Sequence, residues 1–330
     1  MPLTAKESNN LNVLRASAVL MVFFDHALNL PRLGDAGVLF FFVHTSNVLM
    51  QSLQRSGDSW KQFVTRRVFR IYPLSIVAVV LYAVLCIPGT AWNHATPKDS
   101  GFNIVSDLAL VQNVTRAQSI PTVLWSLPFE IQMYLVLPFC FMWVGRTRKM
   151  FLVQNWVLVA GTTAVLMGWF PATGFVIRFV PSFFAGIVSF FLPEKRKLPS
   201  AAWIATIITI TLVFLALPIL ATGWIVCLIL GYAIPRFREM PDGVITKAAA
   251  IIAKYSFGIY LFHLLFLVLF SRMKWEGVAL AFVATILSSW IMFRILEEPM
   301  IRLGKKIAQR MRDVNLPRPA GGEAIAFQKP

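Results

Sequence analysis

Residues 11–30 read LNVLRASAVLMVFFDHALNL, an apolar run as long as a helix that crosses a bilayer, about 20 residues. Two cationic-type side chains interrupt it, Arg15 and His26. Eleven residues at helical pitch leave them about 20° apart around the axis and about 16 Å apart along it. One stripe of the helix therefore carries a guanidinium near one end and an imidazole deep in the span. Ionisable groups at such depth are costly and are kept for function. The run reads as the first span of a membrane-embedded enzyme.

The bulk composition supports that class. Of 330 residues, 57% are hydrophobic and 14% charged, with a mean hydropathy of +0.68. A soluble domain needs far more polar surface. The net charge of +16 would fit nucleic-acid binding only if the basic residues formed a solvated patch. They fall between apolar runs instead, so no nucleic-acid partner is expected and the partner is the lipid bilayer.

The apolar runs are 11–30, 36–54, 71–89, 121–144, 151–170, 174–192, 201–217, 219–235, 254–271 and 277–296. They predict an all-α polytopic protein of about ten transmembrane helices. With the N-terminus in the cytoplasm, the basic residues gather in the cytoplasmic segments, except for Arg32, Lys98, Arg116, Arg178, Arg272 and Lys274. That is the asymmetry of positive-inside topology, and it places both termini inside. The first run is not a removable signal peptide, because it holds Arg15, Asp25 and His26 and lacks a cleavage site. Residues 1–302 form the membrane domain, and 303–330 are expected as a basic, disordered cytoplasmic tail. The loop from Thr90 to Pro121 has an apolar patch, Leu108 to Val111, expected on the membrane surface. Cys86, Cys140 and Cys227 lie in apolar runs and read as small buried hydrophobes. No phosphate loop or metal-ligand spacing is visible, so no metal is expected.

Three further segments carry chemistry. In the run Phe63 to Pro73, Arg66, Arg67 and Arg70 are set at helical spacing. Guanidinium forks match phosphate oxygens, whereas a topology signal would be met by lysine anywhere. In the fourth span Ser126, Glu130 and Tyr134 follow i, i+4, i+8 and share a face. In the ninth, Ser256, Tyr260 and His263 follow i, i+4, i+7. His263 is equally well read as a hydrogen-bonded core residue. Arg178 is placed to neutralise Glu130 or to face an anionic acceptor. Glu297 and Glu298 are expected to pair with arginines. Asp25 and His44 show no matched partner in the sequence and are secondary.

These segments together resemble the acyltransferase 3 family of bacterial multi-spanning O-acyltransferases. The resemblance rests on Arg15 with His26, Arg67 with Arg70, and Trp125-Ser126-Leu127 with Glu130 and Tyr134. Tyr255-Ser256 with Tyr260-Leu261 and His263, and Glu297 with Pro299, complete it in the family's order. It implies ten helices in the bacterial inner membrane and a cytoplasmic acyl-CoA donor, acetyl-CoA above all, with no permanently bound cofactor. It also implies an acceptor met at the outer face: a glycan such as exopolysaccharide or O-antigen, or a lipid-linked saccharide. Carried over by position, His26 is the catalytic candidate with Arg15 its partner, Glu130 matches the acid of the fourth-span motif, and Arg67 with Arg70 match the family's arginine pair; with Arg66 from the same cluster they are expected to hold the donor's phosphates. Ser126, Tyr134, Arg178, Ser256, Tyr260 and His263 are secondary. Where relatives commonly read Phe-Phe-x-x-Ser-Gly, this chain has Phe41-Phe42-Val43-His44-Thr45-Ser46. Met133 stands where Phe is usual and Ile131 where a second acid often sits. These positions bear on acceptor and acyl preference. The extracytoplasmic hydrolase-like domain fused to some relatives is not expected. Two alternatives share the same residues: an O-acyltransferase on a small lipophilic acceptor such as a macrolide, and a transporter of an anionic solute.

Overall fold

A backbone in hydrocarbon has no water to bond its N–H and C=O groups, so each apolar run must close its hydrogen bonds within itself as a helix. The computed structural model describes residues 8–56, 59–85, 100–145, 151–170, 177–217 and 223–315. Among them the chain is helical, and the one β-type pairing is an isolated bridge between Leu198 and Phe237. The helices are α1 (Asn9–Leu28), α2 (Leu33–Ser56), α3 (Trp60–Leu85), α4 (Ser100–Leu108), α5 (Gln112–Thr115), α6 (Leu127–Gly145) and α7 (Leu152–Trp169). They continue as α8 (Val180–Phe191), α9 (Ala202–Ala216), α10 (Trp224–Ala233), α11 (Val244–Leu269), α12 (Lys274–Met292) and α13 (Glu298–Asn315). A 3-10 turn, Thr122–Ser126, leads into α6, and a π-helical turn, Phe293–Glu297, joins α12 to α13.

Among the described residues seven helical segments are long and apolar enough to cross a membrane, and α8, α9 and α10 are shorter apolar helices. Together they overlie the described parts of the ten apolar runs. The boundaries differ in instructive ways. The third helix starts at Trp60, well before Ile71, because its arginines extend the same helix rather than cap it. α11, over the ninth apolar run, starts at Val244 behind the polar turn at Gly243. The last apolar helix does not stop near Glu297: the chain stays helical to Asn315. The disordered tail expected from residue 303 is thus corrected for 303–315. The reason is packing, since Gly304 of α13 lies against the Phe69 ring of α3 and Ala308 is buried. Residues 316–330 and Cys86 lie outside the described residues. Cys227 is buried and Cys140 half-buried, both with free thiols.

α1 packs against α2 and α11. Its N-terminus is capped by Ser8, whose Oγ accepts from the Leu11 N–H at 3.2 Å and donates to Glu239 at 2.8 Å. Asn9 and Asn10 donate to the carbonyls of Met240 and Arg238, and the buried Trp203 indole donates to the Asn10 carbonyl. This stitching fixes the depth of Arg15 on the helix above it. α1 ends where Asn29 takes a left-handed conformation, φ 51°.

α2 is held between α1 and α8 by close backbone approach, as small residues allow in membranes. Gly37 faces the Ala18 carbonyl of α1, and Gly186 of α8 faces Ser46 and the Val43 carbonyl of α2; neither leaves room for a Cβ. Asn47 donates to Ser189 at 3.0 Å across the α2–α8 seam.

In the stretch from Ser100 to Ser126 the apolar side chains of Phe102, Val105 and Val114 are exposed, while others pack inward. Leu110, inside the patch expected on the membrane surface, is buried. Asp107 is fully buried, and its Oδ2 accepts the Ile120 N–H at 2.7 Å while Oδ1 has no partner. Burial pushes this carboxyl up to about 8, partly offset by the Ile120 hydrogen bond. The folded chain therefore keeps a proton that the unfolded chain loses near its ordinary carboxylate value. Stability then falls as pH rises from the usual Asp range through about 8. Asp107→Asn keeps an acceptor for Ile120 and cannot ionise. Thermal unfolding in detergent should show the variant more stable at pH 9, by about 1–3 kcal/mol for a desolvated group short of partners. The difference should shrink steadily as pH falls towards the ordinary Asp range and vanish there; equal pH slopes would contradict the assignment.

Candidate active site

Two cavities lie along α1. The inner one, about 70 Å³, is lined by Arg15, Arg67, Arg70, Glu130, Tyr134 and Ser256, with His44, Phe41, Phe42, Ser126 and Tyr260 among its other walls. α1 supplies Arg15, whose Nε donates to Ser256 Oγ of α11 at 2.7 Å. α3 supplies Arg67 and Arg70, three residues apart and so on one face. Arg67 Nη2 makes a long 3.5 Å contact with Ser52, its guanidinium lies 5.4 Å from the Phe63 ring centre, and its buried Nε has no hydrogen-bond partner. α6 supplies Glu130, which accepts a short hydrogen bond from the Tyr134 hydroxyl one turn on. Glu297, buried in the π-helical turn, acts electrostatically on both Arg15 and Arg70. Three guanidiniums thus face two carboxylates, leaving an excess of positive charge around the chamber. Such a chamber suits an anion presenting several oxygens.

The outer cavity, about 180 Å³, is lined by Asp25, His26, Arg32, Asp35, Trp125 and Tyr260, with Val22, Gly34, Val38 and Val123 completing it. His26 Nδ1 lies 2.9 Å from the Val22 carbonyl oxygen. A carbonyl only accepts, so the neutral ring carries its proton on Nδ1 and leaves Nε2 as the basic nitrogen. Asp25 Oδ2 lies 3.8 Å from Nδ1, and Asp25 Oδ1 accepts the Gly34 N–H at 2.9 Å. The His26 side chain is 33% exposed, so substrate can reach it. His263 stacks edge-on at 5.1 Å between ring centres. Its Nδ1 sits 2.8 Å from the Tyr260 carbonyl and 3.1 Å from that of Ile259, and its buried Nε2 has no partner. Arg32 donates to the Leu215 carbonyl at 3.1 Å and lies over the Phe214 ring.

Tyr260 and Val38 line both cavities. The Tyr260 hydroxyl donates to the Val123 carbonyl at 2.5 Å and accepts from Ser126 at 2.7 Å. This fastens α11 to the 3-10 turn before α6.

The structure therefore gathers Arg15, Arg67, Arg70, Ser126, Glu130, Tyr134, Ser256 and Tyr260 round one chamber and puts His26 in the next. Three expectations need correction. Arg66 does not line the cavity, because neighbours on a helix point about 100° apart. Arg178 does not meet Glu130; its guanidinium lies over Phe179 and its charge acts on Asp35. Asp25 does have partners, His26 and the Gly34 N–H. His44 and Asp35 also line these cavities, His44 the inner and Asp35 the outer. The polar run His44 to Asn47 inside an apolar span was the available signal for the first. For Asp35, which opens α2, the sequence offered none.

A family model described as an acyltransferase domain, acyltransferase 3, matches residues 8–294. Acyltransferase MdmB of Streptomyces mycarofaciens is 30% identical over 152 residues, 42% of this chain and 36% of that protein. The chain thus aligns with about a third of that relative's length. ORF330 of Acidianus two-tailed virus, a candidate acetyltransferase by name, is 26% identical over 276 residues, 76% of this chain and 81% of that protein. No solved structure matches the chain.

Proposed function

The chain belongs to the acyltransferase 3 family as a multi-pass membrane O-acyltransferase, and from that premise we propose that it carries a short acyl group, acetyl, from cytoplasmic acyl-CoA to a hydroxyl of a cell-surface glycan or lipid-linked saccharide. The observation that carries this reading is the pair of cavities on α1, one rich in arginine and the next holding His26. The cell is bacterial, the membrane the inner one, and both termini face the cytoplasm.

In this reading the donor's phosphates engage Arg67 and Arg70, with Arg15 above them tied to Ser256. The thioester reaches past Tyr260 towards His26. The acceptor occupies the outer cavity, where Asp25 and Asp35 accept from its hydroxyls and Trp125 offers an apolar flank. His26 Nε2 takes the proton of the attacking hydroxyl. The new O–C bond forms at the acyl carbon, the C–S bond breaks, and the imidazolium returns the proton to the departing thiolate. In the double-displacement variant Nε2 attacks the thioester carbonyl first and expels the CoA thiolate; the acyl-imidazolium then passes its acyl group to the hydroxyl, the N–C bond breaks, and the hydroxyl proton ends on the thiolate. Glu130 is engaged by Tyr134 and holds charge balance among the arginines.

Purified protein given acetyl-CoA and an extract of the producing cell's envelope should release free CoA in step with ester formation. A transporter of anions would release none. Reporter fusions after Arg196 and Arg312 should read as cytoplasmic and one near Lys274 as external. The reverse pattern would place the arginine chamber on the wrong side for its donor.

A further inference from the structure

The exposed apolar row of α12 does not stop where the span ends. Val283, Leu287 and Ile291 follow i, i+4, i+8 on α12 and are exposed, as the lipid-facing row of a span is. Ile295, in the π-helical turn, is 69% exposed, and on α13 Leu303 is 42% exposed and Met311 36%. α13 is itself two-sided. At 100° per residue Leu303, Ile307, Met311, Gly304, Ala308 and Ile301 fall in that order round an arc of about 160°. One half of that arc is packed, with Gly304 against Phe69 of α3 and Ala308 buried. The Leu303 edge is open. Arg302, Lys305, Lys306, Arg310 and Arg312 lie on the remaining arc and are exposed. Lys306 and Arg310, one turn apart, stand on the polar side next to Leu303. Among the described side chains of α13 the acid is Glu298, already paired with Arg302 at 2.8 Å.

We propose that α13 is a docking surface for anionic phospholipid: Leu303 and Met311 enter the boundary of the acyl chains, and Lys306 and Arg310 engage the headgroup phosphates. An apolar edge bordered by basic side chains is how a helix lies in the membrane interface. Two features place it there. The open edge continues the exposed row of α12 through Ile295, and the other half of the apolar arc is already seated on α3. The headgroup is anionic rather than zwitterionic, because a zwitterionic lipid brings its own ammonium to a flank already crowded with cations. Phe69, the seat of Gly304, lies between Arg67 and Arg70 in sequence, so the lipid that holds α13 also braces the helix carrying both arginines. The proposal goes beyond acyl transfer and does not depend on it.

Phosphatidylglycerol retained by the purified full chain, counted by native mass spectrometry across a titration, tests the headgroup contact. A basic residue at an anionic surface changes affinity about fivefold. Lys306→Gln with Arg310→Gln should therefore weaken phosphatidylglycerol binding at least about fivefold and leave phosphatidylcholine binding unchanged. Arg272→Gln with Lys274→Gln, at the other end of α12, should keep the parent's affinity. Equal loss in both pairs would reduce the effect to unspecific charge and overturn the site, as would an unchanged affinity in the Lys306 and Arg310 pair. A second measurement reads the depth of the helix in nanodiscs of equal parts phosphatidylcholine and phosphatidylglycerol. With Cys86, Cys140 and Cys227 replaced by Ala, a nitroxide on Leu303→Cys should be reached by oxygen better than by a nickel chelate. One on Gln309→Cys, on the exposed polar side, should show the reverse. A Leu303→Cys label as open to nickel as the Gln309→Cys label would put α13 in water and overturn the docking.

Discussion

His26→Gln abolishes acyl transfer in this account, lowering turnover by about 100- to 10,000-fold, the usual contribution of a positioned general base. Glutamine keeps a polar end of similar reach but cannot carry a proton or an acyl group. The parent ring is directed by the Val22 carbonyl at 2.9 Å, which leaves Nε2 bare towards a cavity that also holds Asp25 and Asp35. The variant should insert at normal levels, because the side chain is 33% exposed and glutamine can keep a hydrogen bond there. His26→Ala should fail equally. His44→Ala is the informative companion. His44 is buried in the inner chamber with an unpartnered Nδ1, so its loss should act on donor affinity and leave turnover at saturating donor nearer the parent's. Turnover within a few-fold of the parent in His26→Gln would move the base elsewhere, with His263 next in line at 5.1 Å between ring centres.

Replacing Arg67 and Arg70 together by Ala should weaken acyl-CoA binding at least tenfold, since hydrogen bonds to charged groups contribute about 1.5–3 kcal/mol each. Both line the inner chamber, and Arg67 has a buried Nε with no protein partner. A guanidinium in that state is available to a ligand oxygen. Lysine at both positions should rescue only part of the loss, because a point charge cannot form the bidentate fork. Arg66→Ala is the internal control: it lies outside the chamber lining, so donor affinity should hardly change. Isothermal titration with CoA and with dephospho-CoA measures both affinities. Full rescue by lysine would reduce these arginines to a topology signal, and an unchanged affinity in the Ala pair would put the phosphates elsewhere.

Much of this architecture was legible in residue spacing. Period and length alone gave the apolar helices, and the interval from Arg15 to His26 was enough to put two ionisable groups on one stripe of α1. The i, i+4 relations of Glu130 with Tyr134 and of Ser256 with Tyr260 became a hydrogen bond within α6 and one wall of the inner chamber. What the sequence could not carry was contact between helices. Nothing in the spacing says that Tyr260 binds Ser126, or that α2 approaches α8 closely enough to exclude a Cβ at Gly186. Nor does it say that Asp35 reaches the His26 cavity across the α1–α2 turn. Long-range pairing of that kind depends on which helices neighbour one another, and a periodic pattern is silent on it. The helical extension to Asn315 was missed for a related reason. A charged amphipathic stretch reads as tail until its thin apolar edge is seen against α3.

The central claim is that the acyl group crosses from an arginine chamber on the cytoplasmic side to His26 on the other. Sealed inside-out membrane vesicles from the producing cell test it directly, with radiolabelled acetyl-CoA supplied only to the exposed cytoplasmic face. The account predicts ester label on luminal glycan, protected from an added esterase until the vesicles are opened, and none in vesicles carrying His26→Gln. Label that forms on the donor's own face, or that forms equally without His26, would contradict it.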